Sequence, residues 1–312
     1  MLLKNSIFTR PLWVSIFALT AAISWGWAYP LIKLGFEEFQ ILPEMTSSKM
    51  LFAGIRFFFS GLILLIIAGI TKRDFRVKQK GSWMFILVFT LLNTTLHYAF
   101  FYIGLSHSDG ARAAILNSMS VFVLVLLACA FFPSEKLNAR KVMGCTMGAI
   151  GILILNIGNV STEHITLMGD GMIVLNALCS AGASLMTRGL GKRIDIFVGT
   201  GYSLGVGGFL LLLQGLLSGG TLPRFTLFGI VILLLLIIIS SLGFALYNKL
   251  IICNPIGKVA IYNSLIPVVG VLSSCIFLGE PFYHKYILAV GLAATAIYII
   301  NKGIGKLALQ TT

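Results

Sequence analysis

The chain has 312 residues, of which 58% are apolar and 11% are charged. Soluble domains carry about 25% charged residues, so this composition, with a mean hydropathy of +0.98, excludes an ordinary soluble protein. The 23 basic residues outnumber the 10 acidic ones, for a net charge of +13, so the placement of these charges has to be settled before a partner is inferred.

Long apolar segments follow one another along the chain. Because one membrane crossing takes about 20 residues, we predict ten membrane-spanning helices in an all-α integral membrane protein. The predicted spans, in chain order, are residues 12–32, 50–71, 82–104, 111–132, 141–158, 169–189, 196–218, 225–248, 257–279 and 285–301. The connections are short, which leaves no room for an extramembrane domain.

The basic residues lie mainly beside alternate ends of these spans. With the amino terminus in the cytoplasm, 17 of the 23 flank cytoplasmic ends, 5 flank external ends, and Arg56 lies inside the second span. Short loops rich in Lys and Arg stay in the cytoplasm, so we predict that both termini are cytoplasmic. The excess positive charge is then an orientation signal beside anionic lipid, and we expect no nucleic-acid partner.

The two halves of the chain repeat each other. Asn117-Ser118 recurs as Asn263-Ser264, and Glu135 recurs as Glu280, 145 positions later. We predict two repeats, residues 1–158 and 159–312, with five spans each. Since five is an odd number, the second repeat must enter the membrane from the opposite side. Such inverted repeats are common in carriers that work by alternating access.

Three further motifs are Ser24-Trp25-Gly26 in the first span, Arg56-Phe57-Phe58 in the second, and Pro267 with Phe277-Leu278-Gly279-Glu280-Pro281 in the ninth. With these motifs the chain resembles the drug/metabolite transporter (DMT) superfamily, in its ten-span EamA-type branch. The first repeat is the more divergent, since Ser120 stands where the second repeat has Pro267. The resemblance implies a cavity between two inverted repeats and secondary transport of small metabolites, commonly amino acids and commonly outward.

Arg56 is the one full charge inside a predicted span. A charged side chain at membrane depth costs about 3 kcal/mol on insertion scales, so it is a first place to look for function. Its planar fork of donors suits a substrate carboxylate or phosphate. The alternative is a structural arginine that reaches the interface or hydrogen-bonds neighbouring carbonyls.

Polar and aromatic residues of other spans complete the candidate site. Asn93 and His97 are four positions apart and therefore share a helix face. His97 could bind substrate or carry a proton, or it could only bridge two helices. Aromatic walls beside amide and hydroxyl groups would suit an amphipathic metabolite. The predicted substrate-binding set is Trp25, Trp27, Tyr29, Arg56, Asn93, His97, Tyr98, Asn117, Asn176, Ser180, Tyr202, Tyr262 and Asn263.

All ten acidic residues lie at span ends or in loops, so no carboxylate is predicted deep in the membrane. This disfavours an exporter that uses a buried glutamate for both a cation and a proton. We therefore expect a secondary transporter, an exporter of an amino acid or a related zwitterion or anion, in a bacterial cytoplasmic (inner) membrane. The alternatives are a flippase for a lipid-linked intermediate and a multidrug exporter.

The sequence does not favour an enzyme. It has no HExxH motif, no His and Asp pair at membrane depth, and no CxxC pair among its five cysteines. We expect no catalytic residues, no cofactor and no metal site. The expected partners are a small-molecule substrate and the lipid bilayer, and the sequence is compatible with a monomer or a homodimer.

Overall fold

The structure is a computed structural model that describes residues 6–79, 81–107, 116–156, 166–279 and 281–301. Within these ranges the chain is helical and has no strand. The predicted span start at residues 111–115 and the motif residue Glu280 lie outside the described residues. The helices, numbered in chain order, are α1 (Pro11–Glu38), α2 (Thr46–Ile70), α3 (Ser82–His107), α4 (Leu116–Phe131), α5 (Ala139–Asn156), α6 (Leu167–Arg193), α7 (Ile196–Leu217), α8 (Leu227–Cys253), α9 (Ile256–Phe277) and α10 (Lys285–Asn301).

Seven of these helices are long and apolar enough to cross a bilayer, counted over the described ranges: α1, α2, α3, α6, α7, α8 and α9. Helices α4 and α10 are shorter apolar helices, and α5 has 18 residues. The chain is therefore a multi-pass integral membrane protein, as its composition predicts. That the three shorter helices also cross, which would make ten spans, stays a prediction.

Helices α3 and α9 each change their winding in the middle. Helix α3 makes a π-helical turn at Leu91–Thr95, and α9 makes a 3-10 turn at Ile261–Leu265. Such a change alters the direction in which the following side chains point, and π turns inside α-helices are frequent at functional sites. Asn93 lies in the first turn and Asn263 in the second, so both candidate residues stand at irregular positions.

Helices α2 and α7 form the closest helix pair, because glycines let their backbones approach. Gly54 lies against Leu212, and Gly61 lies against Gly205, where an added Cβ atom would meet the neighbouring backbone. Numbers rise along α2 as they fall along α7, so the two helices run antiparallel. Small residues at such spacing drive helix association in lipid, where the hydrophobic effect between helices is weak.

Helices α5 and α10 also pack together in antiparallel directions, with Gly144 beside Ile300 and Gly151 beside Leu292. Helix α1 packs between α8 and α9, and α6 packs between α3 and α4. Helix α2 contacts α8, and α7 contacts α3. These contacts leave space in the middle of the bundle.

Candidate functional site

A cavity of about 1230 Å³ lies in the middle of the bundle, with wall residues from α1, α2, α3, α4, α6, α8 and α9. At one end it reaches Gln40 and Pro43, between α1 and α2, and Pro223, between α7 and α8. We call this the open end. The volume is large for a small-molecule site, which commonly measures about 300 to 1,000 Å³.

The opposite end of the cavity, the closed end, is filled by a buried apolar cluster. The cluster includes Ala18, Val125 and Ile261, and it is continuous with the cavity wall at Leu124 and Tyr247. It joins α1, α4, α8 and α9 and, among the described residues, packs across this end of the cavity.

A buried carboxylate reinforces the closed end. Glu135, which is 2% exposed, accepts hydrogen bonds from Nη2 of Arg188 at 2.9 Å and from Nζ of Lys141 at 3.2 Å. It also accepts a hydrogen bond from the backbone N–H of Ile256, at the start of α9. Arg188 in turn donates to the carbonyl of Asn254 at 2.8 Å. This one side chain thus connects the α4–α5 segment to the end of α6 and the start of α9.

Arg56 lies in the cavity wall and is 3% exposed. Its Nε donates to Oγ of Ser240 on α8 at 2.7 Å, and the Ser240 hydroxyl donates to the carbonyl of Leu236 at 2.9 Å. Among the described residues, no carboxylate forms an ion pair with Arg56, and its two terminal nitrogens have no hydrogen-bond partner. A buried cation with free donors beside a cavity is suited to bind an anionic group.

Asn93 also lies in the cavity wall, at the π turn of α3. Its Nδ2 donates to Oγ of Ser203 on α7 at 3.0 Å and to Oγ1 of Thr94 at 3.3 Å. The amide nitrogen is therefore occupied. Its oxygen has no hydrogen-bond partner in the described part of the chain.

His97 and Asn176 bring two further unpaired atoms to one region. The described residues offer no hydrogen-bond partner to the buried Nδ1 of His97 or the buried Oδ1 of Asn176. Nδ2 of Asn176 donates to Oδ1 of Asn117 at 2.6 Å, which links α6 to α4. His97 and Asn117 line the cavity, whereas Asn176 lies behind Asn117 as a fully buried support.

Aromatic side chains form one side of the wall. Trp25 packs edge-on against Phe244 and Tyr247 of α8, with ring centroids 5.2 and 5.3 Å apart. Tyr98 packs on Phe57 at 4.1 Å. The predicted residues that line the cavity are Trp25, Tyr29, Arg56, Asn93, His97, Tyr98, Asn117, Ser180 and Asn263.

Besides Asn176, three predicted residues lie outside the cavity wall. Trp27 is 47% exposed on the outer face of α1, where it packs against Phe277. Tyr202 packs against Trp83, and the Tyr262 hydroxyl is hydrogen-bonded to Ser15 at 2.7 Å in the closed end. None of the three lines the cavity as the described residues define it.

The structure adds wall and support residues that the sequence analysis missed. Ser240 holds Arg56, and Asn248 and Tyr102 line the cavity. The signal that could have revealed Ser240 is the polar pair Ser240-Ser241 inside the long apolar segment of α8. At the open end, Lys49 donates to the carbonyl of Pro43 and, at 3.2 Å, to Oγ of Ser106.

Residues 201–205 have the Gly-x-Ser-x-Gly spacing of a hydrolase nucleophile elbow, a match that the sequence analysis overlooked. That motif needs a sharp turn between a strand and a helix. Here the segment lies within α7, and Ser203 is hydrogen-bonded to Asn93. The geometry of a nucleophile elbow is therefore absent at this segment.

A helical membrane protein with a polar and aromatic cavity, open at one end and sealed at the other, has the architecture of a membrane transporter. Comparison with known families agrees. The sequence profile of the EamA-like transporter family matches residues 12–157 and again residues 167–302, so the chain belongs to this family.

Individual relatives extend over nearly the whole chain. YvbV, an uncharacterized transporter of Bacillus subtilis (strain 168), is 28% identical over 287 residues, covering 89% of this chain and 88% of its own length. A probable amino-acid metabolite efflux pump of Salmonella typhimurium (strain LT2) is 24% identical, covering 90% of this chain and 92% of its own. One solved crystal structure aligns with a TM-score of 0.78 at 16% identity, over 94% of this chain and 97% of that chain, which shows a shared fold.

Proposed function

We propose that this membrane transporter is a secondary exporter of an amino acid or a related zwitterion or anion, and that it is not an enzyme. The observation that carries the proposal is Arg56, a buried cation in the cavity wall without a carboxylate partner among the described residues. Since insertion of a charge is costly, the side chain needs a compensating function. A substrate carboxylate would supply it.

The charges of the wall favour an anionic group over a simple cation. Among the described wall residues Glu37 is the one acid, and it lies near the open end. An organic cation in the cavity would meet Arg56, and the described wall offers it no carboxylate beside that residue. This argues against the multidrug alternative. The printed name of the Salmonella typhimurium relative, an amino-acid metabolite efflux pump, agrees with a zwitterionic substrate.

The mechanism proposed is alternating access by two inverted repeats of five spans each. Two observations support it: the family profile matches the chain twice, and helix pairs five apart in order, α2 with α7 and α5 with α10, run antiparallel. The neighbour pattern also supports it, because α1 contacts α8 and α9 whereas α6 contacts α3 and α4. If each helix is replaced by the helix five places later in the order, counting on from α10 to α1, the same set of contacts results.

We further propose that both termini face the cytoplasm of a bacterial cell and that the protein lies in its inner membrane. The open end would then face outward and the Glu135 end inward. The basic residues Lys141 and Arg188 at the closed end agree with a cytoplasmic surface. In this orientation the structure would be outward-open.

The proposal is tested with purified protein in lipid vesicles and a panel of labelled amino acids, carboxylic acids and organic amines. We expect transport of carboxylate-bearing compounds, lowered about tenfold or more by Arg56→Gln, because hydrogen bonds to charged groups contribute about 1.5 to 3 kcal/mol. Arg193→Gln is the matched control, since Arg193 packs on Phe85 away from the cavity wall. Transport of organic amines alone, unchanged by Arg56→Gln, would overturn the proposal.

A further inference from the structure

Two hydrogen-bonded pairs in the wall occupy corresponding positions of the two halves. The Arg56–Ser240 pair joins α2 to α8, and the Asn93–Ser203 pair joins α3 to α7. Ser203 follows Arg56 by 147 positions, and Ser240 follows Asn93 by the same 147. Each pair is therefore the counterpart of the other.

Contacts next to these two pairs are also related by an offset of 147 positions. Ser241 donates to the carbonyl of Ser60 at 3.1 Å, and the positions 147 away, Thr94 and Gly207, also contact each other. Gly54 lies against Leu212, and its counterpart Gly201 lies against Leu65. The correspondence of the two pairs thus belongs to a regular packing relation and is not a coincidence of two residues.

The two pairs differ in what they leave free for a ligand. In the first pair, Ser240 occupies Nε of Arg56, and the two terminal nitrogens remain as charged donors. In the second pair, Ser203 occupies Nδ2 of Asn93, and the amide oxygen remains as an acceptor. Both Arg56 and Asn93 line the cavity. One position thus offers positive charge and donors, and its counterpart offers a neutral acceptor.

We propose that these two pairs form a two-pole binding site, in which Arg56 binds the carboxylate of a zwitterion and the Asn93 oxygen accepts a hydrogen bond from its ammonium group. Ser240 and Ser203 are positioning residues that fix the side chain at each pole. The inference rests on the proposed function, which it deepens by assigning each end of the substrate to one residue. An acceptor without charge suits an ammonium group that must later be released.

The test measures how three compounds displace radiolabelled L-phenylalanine from the purified full-length protein. Unlabelled L-phenylalanine carries both charges, 3-phenylpropanoate lacks the ammonium group, and 2-phenylethylamine lacks the carboxylate. Each compound is titrated against the wild type, Ser240→Ala and Ser203→Ala. Ser241→Ala is the control, because its hydroxyl bonds only the carbonyls of Ser60 and Ile237 in the described chain.

We expect opposite effects from the two positioning variants. Ser240→Ala should weaken the binding of L-phenylalanine and 3-phenylpropanoate about three- to tenfold, since one hydrogen bond contributes about 0.5 to 1.5 kcal/mol. The binding of 2-phenylethylamine should stay unchanged. Ser203→Ala should weaken the binding of L-phenylalanine and 2-phenylethylamine by a similar factor and leave the binding of 3-phenylpropanoate unchanged. A loss of folded protein cannot produce this crossed pattern.

A double variant tests whether Ser240 acts through Arg56. Lysine has no Nε–H donor at that position of the side chain, so Ser240→Ala should have no further effect in an Arg56→Lys background. Equal weakening of all three compounds by both serine variants, or by Ser241→Ala, would overturn the two-pole site while the transport proposal stands. If the wild type binds none of the three compounds, the two-pole site is overturned, and the transport proposal is decided separately by the vesicle panel.

Discussion

The two ends of the cavity are held by different kinds of contact. At the open end, Lys49 joins the segment before α2 to Ser106 of α3, and Glu38 accepts a hydrogen bond from Thr226, ahead of α8. These contacts connect neighbouring segments along the rim. They do not close the cavity, whose wall reaches Gln40 and Pro43.

The closed end has an apolar layer across the cavity and the buried Glu135 beside it. The two partners of this carboxylate, Arg188 and Lys141, are 21% and 12% exposed. Buried charges are costly to leave unpaired. The two ends thus differ in that a single buried carboxylate connects segments of both halves at the closed end, whereas no such group spans the open end among the described contacts.

The largest expected effect is a loss of stability of the fold, and it does not depend on movement of the two ends. Gly61 on α2 faces the backbone of Gly205, so Gly61→Leu forces α2 and α7 apart and should cost about 3 kcal/mol of stability. We expect a large loss of folded protein in size-exclusion chromatography. Gly69→Leu, near the end of the same helix, is the control, since an added Cβ atom there meets nothing within 4 Å. Equal loss for both variants would show that bulk alone, and not the close helix contact, is responsible.

The second prediction concerns the closed end itself. Glu135→Gln keeps the size of the side chain and removes its charge, so Arg188 and Lys141 lose their anionic partner, and only one of the two acceptor oxygens remains. We expect about 2 kcal/mol of destabilisation of the closed end, less than for a fully buried pair because both partners are partly exposed. The measurement is maleimide labelling of Ala260→Cys, a buried position in the apolar cluster, with the five native cysteines replaced. Labelling should rise more than tenfold.

The matched control for Glu135 is Glu38→Gln at the open end. The Glu38 carboxylate accepts a hydrogen bond from the Thr226 hydroxyl, and a glutamine oxygen still can accept it. In the Glu38→Gln variant, we expect labelling of Ala260→Cys to equal that of the chain that carries Ala260→Cys with Glu38 unchanged. A similar rise in labelling for both variants would contradict the contrast between the two ends.

A third and smaller effect is expected at Tyr262. Its hydroxyl connects α9 to Ser15 of α1 at 2.7 Å in the closed end. Tyr262→Phe removes this hydrogen bond, which contributes about 1 kcal/mol, so labelling of Ala260→Cys should rise about fivefold. If Tyr262 instead bound substrate, as the sequence analysis expects, the variant would raise KM for transport and leave labelling unchanged.

The positions of the helices along the chain could be predicted because each apolar segment is recognisable from its own residues. The ends were less accurate where polar residues are buried. The eighth span was predicted to end at residue 248, yet α8 continues to Cys253. Asn248 is buried there and donates to Thr200 at 3.0 Å, and Lys249 lies beside the ring of Phe8. Tertiary contacts thus satisfy polar groups that, in the sequence alone, resemble the end of a span.

The candidate site was predictable where one helix face carries it and not where two helices build it. Asn93 and His97 share a face and both line the cavity, as does Trp25. The hydrogen bond between Arg56 and Ser240 joins residues 184 positions apart, and a serine in an apolar helix is also common as a packing residue. No local pattern distinguishes the two roles.

The smallest expected effect is at Trp27, and it tests the helix-face argument directly. Trp25 and Tyr29 are four positions apart and line the cavity, whereas Trp27, midway between them, points away and packs against Phe277. Trp27→Leu should therefore leave KM for the transported amino acid unchanged, because the side chain lies on the outer face of the bundle against α9 and away from the cavity. Trp25→Leu is the matched comparison: it removes an aromatic wall residue, and we expect KM to rise about fivefold, since aromatic pairs contribute about 0.5 to 1.5 kcal/mol beyond area burial. A raised KM for Trp27→Leu would mean that the outer face of α1 takes part in substrate binding, and the central cavity would then be only one part of the path.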